Sequence, residues 1–414
     1  MPKTYDKNML GAYKMKKEQI VIYVGNFDYP DGNAAGKRVL GNLEAINKAG
    51  FKTVCLCFRK TNNNKRIIRS QYLQTDLYTI PYTVGFKRLN NSEPKRAFRL
   101  VLNKYSDYKI KAVIMYNSLG TTEFNSYVIK ECHKRGIKAY YDIADYFDVP
   151  HRANILRYYM KKRELAQLMN RVLPACDGWI AISSFLKKMM PDPKRTIIVP
   201  PLAVTRVETS NRHEGTVIFS YATYIVDKNR PVSEWKDRID LYIDAFCGLL
   251  PLKCKHSFEL HFLGFNKEEL IEMFPEELRG KYEKKLETIK EHVKFFGSMP
   301  NKDVQKQIMQ SDFTLLFRDS KTSNNAGFPT KISESVSLGI PPVTNITSDI
   351  GKYIKDGQNG VIVPDPSNLN GIIEKIRSIL NMDDDELQKI REGTVKTEGF
   401  YYASYADRFM KFLK

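Results

Sequence analysis

Lys331 and Glu334 stand three residues apart, directly after Gly327-Phe328-Pro329-Thr330 and shortly before Gly339-Ile340-Pro341-Pro342. The leading proline and the Gly-Pro exit bracket a short helix, so Lys331 falls in its first turn and Glu334 one turn on. The start of a helix has amide N–H groups without intrahelical partners and the positive end of the dipole, both of which favour a phosphate. A carboxylate one turn further in can accept hydrogen bonds from two ribose hydroxyls. One element would then grip the anion and the diol of a nucleoside diphosphate, with Asn325, Gly327, Phe328, Pro329 and Thr330 around it. A second cation, Lys236, opens the run Lys236-Asp237-Arg238-Ile239-Asp240 at another predicted helix start. A basic residue there is unfavourable unless an anion is nearby, so Lys236 is a candidate phosphate ligand and Arg238 its accessory.

These residues need a scaffold, and the chain supplies alternating strands and helices. Residues 18–24, 53–58, 112–116, 139–141, 216–221, 259–264, 293–297 and 312–317 read as strands separated by helical segments, the pattern of open α/β sheets. At 414 residues the chain exceeds one hydrophobic core, so two domains are expected. Asp142 and Asp145 follow the 139–141 strand, where such sheets place ligand contacts. An acidic helix start capped by Asp145 or Asp148 explains the same letters. The glycines at 25, 32 and 36 do not form G-x-G-x-x-G, which argues against a nicotinamide cofactor.

The net charge of +19 is unevenly placed. Residues 1–205 hold 36 Lys and Arg against 16 Asp and Glu, whereas residues 206–414 hold 30 against 31. An anionic partner for the first half is therefore expected, whether nucleic acid, an acidic lipid surface or a phosphorylated acceptor. The segment 152–173 spaces apolar residues helically among basic ones and reads either as a helix lying on an anionic leaflet or as one packed on the sheet. The six cysteines are scattered without a C-x-x-C pair or a nearby His cluster, which argues for reduced thiols and against structural zinc. No apolar run approaches the roughly 20 residues of a membrane-spanning helix. Residues 1–18 carry five lysines but no apolar segment, so a cytoplasmic protein is expected, with peripheral attachment to the inner face of the membrane as an option.

The run Pro329-x-Lys331-x-x-Glu334-x4-Gly339-x-Pro341, followed by Asp356-Gly357-Gln358-Asn359-Gly360, resembles the donor half of GT-B glycosyltransferases of the retaining family 4 type. Residues 175–184 and 236–246 resemble further segments of that family. The resemblance implies a GT-B fold of two Rossmann-like α/β/α domains facing a central cleft. These are an acceptor domain over 1–205, a nucleotide-sugar domain over 206–397, and a C-terminal helix over 398–414 that crosses back. It also implies Lys236, Lys331, Glu334 and Asp145 as the catalytic set, and Phe296, Gly297 and Met299 around the nucleobase. Gly32, Asn33, Gly36, Asp142 and His151 would shape the acceptor side; a plain βα turn explains the three loop residues slightly better. One departure is plain: the family's Glu-x7-Glu motif has its first glutamate where this chain has Ala326, so a sugar contact there falls to Ser323, Asn324 or Asn325.

The expected activity is transfer of a sugar from a UDP- or GDP-linked donor to a glycan or polyprenyl-diphosphate-linked acceptor in surface polysaccharide synthesis. Retention of configuration is implied by the resemblance. No D-x-D-type motif calls for a metal, and no cofactor is expected. A GT-B epimerase or an inverting transferase is the alternative. Nucleic-acid binding is more remote, because no aromatic-basic stacking run accompanies the charge.

Overall fold

The computed structural model describes residues 18–30, 32–60, 67–82, 92–116, 121–146, 155–210, 215–225, 228–229 and 231–414. His151 lies outside them. Two sheets organise the chain. The first contains β1 (Gln19–Gly25), β2 (Lys52–Lys60), β3 (Ile68–Tyr72), β4 (Thr75–Tyr82), β5 (Lys109–Tyr116), β6 (Lys138–Ile143), β7 (Gly178–Ala181) and β8 (Thr196–Ile198). The second contains β9 (Val217–Ala222), β10 (Phe258–Leu263), β11 (Val293–Phe295), β12 (Phe313–Leu316), β13 (Pro342–Thr344) and β14 (Val361–Ile362).

The spatial orders are β3-β4-β2-β1-β5-β6-β7-β8 and β11-β10-β9-β12-β13-β14. Every pairing is parallel except β3 against β4. With β3 set aside, both sheets start at an inner strand, wind outward, then return to wind the other way. The order reverses between β1 and β5 and between β9 and β12, and such reversals open a crevice at the carboxyl ends of the strands. Parallel strands covered on both faces read as near-continuous apolar runs, and Ile20 to Val24 of β1 are all buried.

The sheets share an apolar seam. Ala326, Phe328, Ile332, Val336 and Phe400 join one continuous cluster with Ile182, Leu186 and the first sheet's core. Ser183 donates to the Ala326 carbonyl and the Ser184 amide donates to Asp349. The chain then returns: Ala203 pairs with Tyr401, and the helix Ala406–Leu413 packs Phe409 and Leu413 beside Val39 and Leu43 of helix α1 (Ala34–Lys48).

From Ile155 on, where it is described, the basic segment is a continuous helical run that changes type along its length. It is α-helical over Ile155–Gln167, π-helical over Leu168–Val172 and 3-10 over Leu173–Ala175. Leu168, Val172 and Leu173 are buried, whereas Ile155, Leu156, Tyr159 and Met160 are 77%, 67%, 65% and 52% exposed. The apolar stripe therefore divides: its end packs on the sheet and its beginning faces outward. Among the described residues no helix is long and apolar enough to cross a membrane.

Candidate active site

A cavity of about 530 Å³ lies between the sheets at their carboxyl ends. From the first sheet it is lined by Gly32, Asn33, Ala34 and Lys37, which follow β1. From the second come Ala222 to Tyr224 after β9, Leu263 and Gly264 after β10, Arg318 after β12, and Phe328 to Lys331 with Glu334 on the Thr330–Ser337 helix. Both reversal points thus open into the same space.

The helix forms because Pro329 precedes its first residue and Gly339, at φ +71°, turns the chain out of it. Ile332, Ser335 and Val336 face the core, which leaves Lys331 and Glu334 on the cavity side. Lys331 Nζ donates to Asp237 Oδ2 at 2.6 Å and to the Tyr221 hydroxyl at 2.9 Å, and sits 4.2 Å from the centre of the Tyr221 ring. Arg318 Nε donates to the other oxygen of Asp237 at 2.6 Å. Asn345 fixes Arg318 through its backbone, accepting from the amide and donating to the carbonyl, each at 2.9 Å. Burial would raise the Asp237 carboxyl, but Lys331 and Arg318 outweigh it and hold the group well below the usual carboxylate range. Two cations share one carboxylate, so a positive charge is left over.

Lys236 adds another. Its side chain opens onto the cleft yet is crowded by protein from both sides. That desolvation, then the charge of Arg318, lowers its proton affinity, while Asp145 acts in the opposite direction. For Lys331, desolvation outweighs Asp237 and the ammonium is likewise easier to deprotonate than an ordinary lysine. The arrangement is a preformed cationic pocket, and an anion entering it is stabilised without reorganisation. Glu334 is ion-paired with Lys37 across the cleft, both side chains being partly exposed.

The structure gathers Lys236, Lys331, Glu334, Phe328, Pro329 and Thr330 with Gly32 and Asn33. Asp145 is exposed beyond β6, outside the lining but close enough for its charge to reach Lys236. Other expectations need correction. Asp142 is buried as an anchor, accepting from Arg38 Nη2 at 2.6 Å and from Asn42 and Tyr23, so it does not meet an acceptor. Gly36 serves packing: a Cβ there would lie 2.0 Å from the Asp28 carbonyl oxygen, and its amide donates to Asn33, the cap of α1. Arg238 is engaged by Asp240 and Asp319, at 2.8 and 2.7 Å, and Arg318 holds the place expected for it.

Asn325 donates to Ser320 and accepts from the Ser348 amide, and Gly327 lies near the Ala144 carbonyl, so both shape the seam instead of the cavity. Ala326 is fully buried in that seam. Phe296, Gly297 and Met299 stand behind the wall. The Phe296 ring centre is 5.1 Å from that of His261, and the Gly297 and Met299 carbonyls accept from Gly264 N–H and the Tyr224 hydroxyl. The apolar end of the cavity is instead built by Leu263, Val304 and Ile308, with Gln305 and Asn301 as polar neighbours.

Arg318 and Lys37 were not singled out from the sequence. Arg318 directly follows an apolar strand, where ligand contacts gather. Lys37 is a cation in the first turn of a helix, the anomaly that marked Lys236.

Residues 233–396 match the family model described as "Glycosyl transferases group 1". No curated protein sequence matches the chain. Solved structures match over nearly the whole length. Sucrose-phosphate synthase from Thermosynechococcus elongatus shares 13% identity at a TM-score of 0.62, covering 95% of this chain and 98% of that one. A lipopolysaccharide outer core galactosyltransferase, WaaB in its apo form, shares 17% at 0.56, covering 95% and 99%. Anabaena HepE in complex with UDP and glucose shares 12% at 0.58, covering 96% and 99%. The paired parallel sheets and these neighbours agree on a GT-B fold, and within it residues 233–396 carry the match to the glycosyl transferases group 1 model.

Proposed function

We propose that the protein transfers a sugar from a nucleoside-diphosphate donor to a glycan or lipid-linked acceptor, with retention of configuration and without a metal ion. One observation carries the donor half: Lys236, Arg318, Lys331 and Glu334, from three segments of the second domain, line one cavity. Breaking the anomeric C–O bond to a diphosphate builds negative charge on the leaving group. Three cations, two of them held by Asp237, stabilise that charge in the role a divalent ion fills elsewhere. Glu334 accepts from the ribose hydroxyls, and the apolar end formed by Leu263, Val304 and Ile308 receives the base. The similarity to a structure holding UDP and glucose supports a UDP-linked donor. Retention rests on the family 4 resemblance of residues 329–341.

The acceptor side belongs to the first domain, with Asp145 near the donor sugar. An acceptor on a polyprenyl diphosphate at an anionic membrane, within surface polysaccharide synthesis, is the partner this reading assigns. The outward-facing Ile155, Leu156, Tyr159 and Met160, followed by Lys161, Lys162 and Arg163, support it: apolar side chains enter the headgroup boundary while cations meet anionic lipid.

Titration of UDP- and GDP-sugars against the wild type and Glu334→Ala tests the donor site. The variant is expected to bind about tenfold more weakly, the loss of hydrogen bonds to a charged group. Equal affinity in both would remove the ribose assignment. NMR of the product's anomeric proton separates retention from inversion.

A further inference from the structure

We infer that Lys37 is a donor-responsive residue that exchanges partners. In the empty cleft it pairs with Glu334, and when the ribose takes Glu334 it passes to the donor's diphosphate. This rests on the donor reading above.

The local geometry favours an anion at Lys37. It lies in the first turn of α1, where Asn33 caps the helix by accepting from the Gly36 amide, so its ammonium stands beside the positive end of a 15-residue helix. The helix cannot retreat from the cleft. The adjacent Arg38 is buried, holds Asp142 and donates to the Val199 carbonyl at 2.8 Å, while the Leu202 carbonyl would lie 2.4 Å from a Cβ at Gly41. Lys37 is thus presented from a fixed base on the first domain, with only its own flexible stem to move.

The anion it finds in this structure is Glu334, the carboxylate assigned to the ribose. Both cannot hold Glu334 fully at once. A nucleotide that engages Glu334 releases an ammonium already inside the cavity that Lys236, Arg318 and Lys331 line. The diphosphate is the nearest new anion, and the exchange costs no unpaired charge. Because those three cations belong to the second domain and Lys37 to the first, the diphosphate would become the bridge between domains. Ribose and diphosphate must both be present for the exchange to run.

The test is calorimetric titration of the full chain with UDP, uridine, GDP and guanosine, comparing wild type, Lys37→Met and Lys37→Arg. For whichever base the wild type prefers, Lys37→Met is expected to weaken the diphosphate about tenfold and to tighten the nucleoside a few-fold, because Glu334 no longer has a competitor. Lys37→Arg keeps the wild-type order. An unchanged diphosphate affinity in Lys37→Met overturns the exchange while leaving the donor site standing. An unchanged nucleoside affinity also overturns it, leaving a plain phosphate ligand. Failure of the wild type to bind either diphosphate removes the donor reading and the exchange together. An unchanged unfolding temperature in Lys37→Met is expected, since the pair is partly exposed.

Discussion

The two domains share a doubly wound strand order but manage charge in opposite ways. In the second, near neutral overall, Asp237 is buried between Lys331 and Arg318, and every group around it is fixed. In the first, Lys and Arg outnumber Asp and Glu by twenty in the sequence, and Arg38 with Asp142 is its buried ion pair among the described residues. The contrast separates two uses of cations. Buried, over-determined cations bind one ligand geometry, whereas exposed ones act at range, raise encounter rates and weaken as salt screens them.

The largest expected effect falls on the buried arrangement. Asp237→Ala leaves two cations without their shared partner and should cost about 3–5 kcal/mol, read as a lower denaturant midpoint. A variant as stable as wild type would erase the distinction between the domains. Asp237 also predicts how stability depends on pH. Its folded carboxyl titrates below the unfolded value, so its contribution is complete above about pH 4 and disappears as pH falls further. Asp237→Asn should flatten that acid limb in a stability-versus-pH series, and an unaltered limb would assign it to other groups.

A smaller effect concerns Lys236. Lys236 and Lys331 both have lowered proton affinity, so UDP binding should decline at a pH below the ordinary lysine range, and Lys236→Met should lessen that decline while weakening binding at neutral pH. An alkaline decline undiminished in the variant would assign it to Lys331 alone. The smallest expected change in stability lies on the surface: Tyr159→Ser with Met160→Ser should alter it by no more than about 0.5 kcal/mol. The same pair should reduce co-sedimentation with anionic vesicles, and full retention of vesicle binding would move the membrane contact elsewhere.

What could be read without coordinates followed the range of each interaction. Lys331 and Glu334 share one helix, so their spacing alone placed them together. Arg318 meets Asp237 across 81 positions and Lys37 meets Glu334 across 297, distances at which no local pattern carries information. The β3–β4 hairpin was missed for another reason. All five residues of β3 are exposed, so it has no apolar alternation, and the turn passes through Leu73 at φ 50°, without the usual glycine or asparagine. The 152–173 segment has helical apolar spacing, but spacing does not reveal that the beginning of the stripe faces outward while its end packs on the sheet.

The helix Ala406–Leu413 completes the layer over α1, although the whole second sheet intervenes in the chain. A ribosome therefore delivers the first sheet long before the residues that cover Val39 and Leu43 exist. During that interval the nascent first domain displays an uncovered greasy face, which makes it a client for holding chaperones. The same late closure makes pulse labelling of Leu43 amide exchange a clock for when the whole molecule, and not merely its leading half, has folded.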